Sequence, residues 1–162
     1  MDVTAFYSVV AATCFTLVGL WWNVIESHKD WFRDDSSRSL IGGIYASFLI
    51  PAIMSLGAQV SGTSQIIWQF TFVVAAAVGA RSVARLLPVT RAQPVQGFFR
   101  KNYWVALVLY GLVILFGIAP GLATALTRLQ PLQVEGMLLV LLVIIAHGLV
   151  WEFMTEAQTQ SN

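Results

Sequence analysis

Apolar residues in this chain come in long blocks, and polar residues are confined to the stretches between them. A helix needs about 20 predominantly apolar residues to cross the hydrocarbon core of a bilayer. Five blocks reach that length: residues 3–25, 40–60, 65–87, 103–126 and 132–154. The connectors are ESHKDWFRDDSSRS, SGTS, PVTRAQPVQGFFRK and TRLQP, and the tail is TEAQTQSN. None offers room for a soluble domain, and no repeat or low-complexity tract is visible. The pattern predicts an all-α integral membrane protein: one domain, residues 1–162, formed by a bundle of about five transmembrane helices.

Composition strengthens this reading. The chain is 57% hydrophobic and 10% charged, whereas a soluble domain carries about a quarter charged residues. So few charges would not cover a surface facing water. The opening, MDVTAFYSVV, has no basic segment and leads to no small-residue cleavage site, so the first block is expected to remain as a membrane helix.

Net charge is +1, which points to no nucleic-acid partner; the distribution of charge says more. Five spans put the termini on opposite sides. The first and third connectors, with the end of the third span, then share a side and hold Lys29, Arg33, Arg38, Arg81, Arg85, Arg91, Arg100 and Lys101, while the other side holds Arg128. Cytoplasmic segments carry the excess of basic residues, so the N-terminus is expected outside and the C-terminus in the cytoplasm. Trp21, Trp22, Tyr103, Trp104 and Trp151 fall at expected cytoplasmic ends, and Phe6, Tyr7 and Trp68 near outer ends, as interfacial aromatics do. The first span, with TLVGL in a long apolar helix, resembles those of small bacterial membrane proteins. That resemblance carries no residue roles; the expected location is a bacterial inner membrane.

Several polar groups within the blocks are candidates for function. Gly43, Ser47, Pro51, Ser55 and Gln59 recur every four residues and share one face of the second span. Such a stripe either packs a helix seam or lines a wet pore. Small residues on other spans, including Ala75, Gly79, Gly111, Gly117 and Gly121, predict a tight bundle. Arg81 lies about 25 Å into its span, where it either snorkels to headgroups or pairs with Glu26 or Glu152 at similar depth. Arg85, Arg100 and Lys101 are candidate contacts for anionic lipid or a partner. His147 reads as the sole titratable group well inside a span, facing a cavity, a subunit seam or a neighbouring carbonyl.

The first connector concentrates charge, but its basic residues oppose a divalent cation; Asp34, Asp35, Ser36 and Ser37 read as caps for the second span, with Trp31 and Phe32 docking on the membrane interface. No metal site and no cofactor are expected: Cys14 is the single cysteine, and His28, the other histidine, lies beyond the membrane end of its helix, so bis-histidine heme ligation within one chain is disfavoured. No hydrolase, zincin, C-x-x-C or phosphate-loop motif is present, and the reading leans away from an enzyme. The expected function is a non-enzymatic homo-oligomer acting as a pore, sensor or signalling subunit. The alternative is an accessory or scaffold subunit that docks another membrane protein through its basic cytoplasmic loops.

Overall fold

The computed structural model describes residues 2–29, 31, 35–62, 64–92 and 97–160, the side chains of 35, 36, 87–92 and 156–160 excepted. The described residues form seven helices: α1 (Val3–Ser27), α2 (Asp35–Ser61), α3 (Gln65–Ala92), α4 (Phe98–Lys101), α5 (Trp104–Ile118), α6 (Pro120–Thr127) and α7 (Pro131–Gln160). Four helical segments are long and apolar enough to cross a membrane: Val3–Ser27, Ser37–Ser61, Gln65–Leu86 and Pro131–Thr155. These apolar helices suggest a membrane-embedded protein.

The expected fourth span, 103–126, is not one helix. It breaks at Ala119 into α5 and α6, bent by 106°. Pro120 disfavours the helical region for the residue before it and has no N–H to donate. Ala119 accordingly sits at φ −125°, ψ 69°, and Pro120 opens α6 at its first turn, where a missing N–H costs nothing. A count of five spans is reached only if this broken pair is taken as one.

Ends and turns follow local chemistry. The Asp2 side chain accepts from the amides of Thr4 and Ala5 at 3.0 and 3.3 Å, capping α1. Gly62, at φ 51°, lets the chain reverse between α2 and α3. Arg128 ends α6 in the left-handed region, its amide bonded to the Thr124 carbonyl. Asp35 opens α2, whereas Arg33, Asp34 and Phe32 lie outside the described residues. Trp31 packs on protein: it stacks on His28 at 4.4 Å and meets Phe153 edge-to-face at 5.0 Å.

Cross-helix bonds set how the helices lie. Ser8 Oγ donates to Gln59 Oε1 at 2.9 Å, Trp21 Nε1 to the Ile41 carbonyl at 3.3 Å, and Gln69 Nε2 to the Gly117 carbonyl at 2.8 Å. These pairings make α1/α2 and α3/α5 antiparallel. One end of the bundle, here the turn end, gathers Tyr7, Gln59, Gln69, Gly117 and Leu132. The other, the basic end, gathers Trp21, Ile41, Arg100 and Glu152.

The larger core cluster includes Tyr7, Met54, Phe72, Val113 and Leu139; the smaller, around Trp21, Ile44, Phe48 and Phe153, fills the basic end. Apolar residues such as Val9, Ile66, Phe70, Ile118 and Met137 cover the outside. Against lipid, hydrophobic burial does not drive helices together; close packing and cross-helix hydrogen bonds of about 0.6 kcal/mol each do. Glycines supply the close approach. A Cβ on Gly43 would strike Leu86, one on Gly79 the Tyr110 ring, and one on Gly117 the Val73 side chain.

Candidate functional site

The five-residue stripe of α2 is spent inside the bundle. Gly43 and Pro51 are buried, and Ser47 Oγ donates to the Gly43 carbonyl at 2.8 Å. Gln59 donates to the Ser55 carbonyl at 3.3 Å while accepting from Ser8. Within one chain, the stripe meets α1 through Gln59 and Ser8, and α3 through Gly43 and Leu86. Ser55 is the exception, because its hydroxyl is fully buried and has no hydrogen-bond partner.

The expected charged pairs do not meet. Arg81 and Glu26 are exposed, and among the described residues no ion pair joins Arg81 to Glu26 or to Glu152. Glu152 instead accepts from the amides of Phe99 and Arg100 at 2.7 and 2.9 Å, clamping α4 to α7. Arg85 and Lys101 are exposed as a lipid or partner contact requires, but Arg100 is 7% exposed and lies beside Leu40, Tyr103 and Phe153.

His147 is exposed on the outside of the bundle. Its Nδ1 lies 3.0 Å from the Val143 carbonyl one turn back, and its ring meets Phe48 edge-to-face at 5.3 Å. That carbonyl belongs to its own helix, and the exposed ring edge is open to lipid or to another subunit. Two of the expected interfacial aromatics at the basic end, Trp21 and Tyr103, are core residues; Trp22, Trp104 and Trp151 form an exposed belt there.

The group that stands out is one the sequence reading passed over. Glu135, in the second turn of α7, is fully buried, and neither carboxyl oxygen has a hydrogen-bond partner. Glu135 is a second titratable group within the apolar block 132–154, nearer its edge than His147. The signal was present: an acidic residue four positions into the block 132–154. Its closeness to the block's edge made it look like an ordinary boundary carboxylate.

Three features converge around Glu135. Tyr7 O–H donates to the Leu132 carbonyl at 2.7 Å, one turn before Glu135, and lies within electrostatic range of its carboxyl. Trp68, Phe72 and Tyr7 follow one another edge-to-face, at 5.8 and 6.0 Å between ring centres, so a run of aromatic surface leads from Tyr7 to the cleft-lining Trp68. A cleft of about 290 Å³ at the turn end is lined by Gly62, Gln65, Trp68, Gln130, Pro131 and Leu132, the last of these one turn before Glu135. Polar groups inside a membrane are bonded or functional, because an unmade bond there costs free energy that nothing nearby returns. Among the described residues, no cluster of three or more metal-ligating side chains is present.

Comparison with protein-family models, with curated proteins and with solved structures gives no match for this chain.

Proposed function

We propose that the protein is a small, non-enzymatic, multi-pass membrane subunit of the sensing or signalling kind, acting as a homo-oligomer, with Glu135 as its responsive group. The unpartnered burial of Glu135 carries this reading. A fully buried carboxyl without a donor strains the packing around it, so the turn end is where a small signal can change the bundle. The reading favours a sensor over a pore through a single copy, because Met54, Phe72, Val113 and Leu139 close the bundle interior. It places the N-terminus outside and the C-terminus in the cytoplasm of a bacterial inner membrane, in keeping with the basic residues at one end.

Homo-oligomerisation is supported by α1. It is the least buried of the four long spans, and Ser8, Ala12, Thr16, Gly19 and Asn23 all lie on its exposed surface. Small and polar residues on an exposed helix face suit contact with another helix better than contact with acyl chains.

Hydrogen exchange along α7 in nanodiscs tests the responsive element. The reading expects solvent access confined to the turns around 132–140 and suppressed by Glu135→Met. Uniform protection along α7 in the parent protein would contradict it.

The second reading, an accessory subunit docking a partner or anionic lipid, is favoured by Arg81, Arg85, Phe98, Lys101 and Trp104, which are exposed together at the basic end. Native mass measurement separates the two: a defined homo-oligomer supports the first, and a monomer that co-purifies with a second membrane protein supports the second.

A further inference from the structure

We propose that Glu135 is a reversible proton-binding site, loaded and emptied from the turn end of the bundle. The inference rests on the reading of that end as the responsive element and names its ligand.

The donor set selects the proton. A dehydrated hard cation wants about six to eight oxygen ligands, whereas the buried orphan oxygens among the described residues are the two of Glu135 and, on α2, the Ser55 hydroxyl. A lone carboxyl in aromatic and aliphatic surroundings holds one proton and little else.

The charged groups nearby do not change this. On α1, Tyr7 faces the site, while Asp2 is exposed and caps its own helix. The turn-end half of α2 contributes Ser55, Gln59 and Ser61, none titratable, and α6 has no titratable side chain. Arg128, after α6, is exposed. Tyr103, at the start of α5, and Tyr110, within it, are both buried and lie away from the turn end. The charges of α4 lie at the basic end. On α3, Arg81 and Arg85 are exposed in its C-terminal half, away from the turn end; among the described residues no cation is in place to hold Glu135 as a carboxylate, so the packed bundle holds it as the neutral acid.

Access comes from the cleft. It is large enough for several waters, and Leu132 forms part of its wall. Glu135 follows Leu132 by three residues, a rise of about 4.5 Å. The Tyr7–Leu132 hydrogen bond is the latch between them and α1. When it parts, water reaches the carboxyl; the acid O–H bond breaks, the proton passes to water, and the carboxylate stays hydrated. Closure takes a proton back from the same side, and no electron changes hands. Because the packed state binds one proton more than the open state, raising pH favours opening.

Two measurements in nanodiscs test the proposal, both on protein carrying Cys14→Ser. Infrared difference spectra of the parent against Glu135→Gln, or against Glu135→Met if the first folds poorly, are expected to show a protonated-carboxyl band at neutral pH. Its absence would overturn the proposal. Labelling of Val134→Cys, a buried position, by a membrane-impermeant thiol reagent reads the opening. Its ratio between parent and Glu135→Gln backgrounds cancels the thiol's own ionisation. That ratio is expected to rise by about tenfold per pH unit while opening is rare, and Tyr7→Phe to raise labelling several-fold at every pH. A ratio flat with pH would overturn the proposal. Failure to find a homo-oligomer would count against the signalling reading and leave both results standing.

Discussion

The hydroxyl of Tyr7 is bonded to the carbonyl of Leu132 at 2.7 Å, tying the first helix to the last across 125 residues of sequence. It does so one turn from a buried acid that has no partner of its own. Tyr7→Phe removes this bond and keeps the ring against Phe72. The expected loss is about 1 kcal/mol, read as a lower melting temperature in detergent with an unchanged helical signal.

Glu135→Met is expected to go the other way. It replaces an unsatisfied buried acid with an apolar chain of similar length, which is commonly neutral or stabilising, here by about 1–3 kcal/mol. Thermal unfolding of the parent and the variant at neutral pH checks the sign. A lower melting temperature for the variant would mean that the carboxyl is bonded in the folded protein.

Glu152 works at the basic end by binding amides. Glu152→Ala leaves the Phe99 and Arg100 N–H groups without their acceptor. The expected cost is about 1–3 kcal/mol, because the pair is charge-assisted but partly open to solvent. Hydrogen exchange should rise at 97–102 and not at the turn end.

Gly79 lies against the Tyr110 ring with no room for a Cβ. Gly79→Ala is therefore expected to destabilise the α3–α5 contact by about 1–3 kcal/mol through overpacking, seen as a lower melting temperature. Gly111→Ala, which meets open space, should change it little.

The membrane helices were legible because long apolar blocks leave few alternatives, and α1, α2, α3 and α7 fall on four of the five expected blocks. The break at Ala119 was written in the sequence as Ala-Pro-Gly, but a hydropathy count is blind to a proline inside an apolar block. Side-chain roles were harder to read. Glu152 was one of two acids weighed as a partner for Arg81, yet two backbone amides occupy it, and amides leave no mark in a sequence. The α2 stripe announced a small, polar face without saying what would lie against it. Glu135 was hidden by position: depth along a helix can be counted, but whether a boundary residue faces water or the bundle depends on neighbours from other helices.

The central claim is that Glu135 makes the turn end responsive. It is tested most directly by the distance between spin labels at Thr4 and Gln133, on α1 and α7, in nanodiscs at low and high pH. The account predicts two distances in the parent protein, the longer gaining population as pH rises, and a single short distance at every pH in Glu135→Met. One pH-independent distance in both proteins would contradict it.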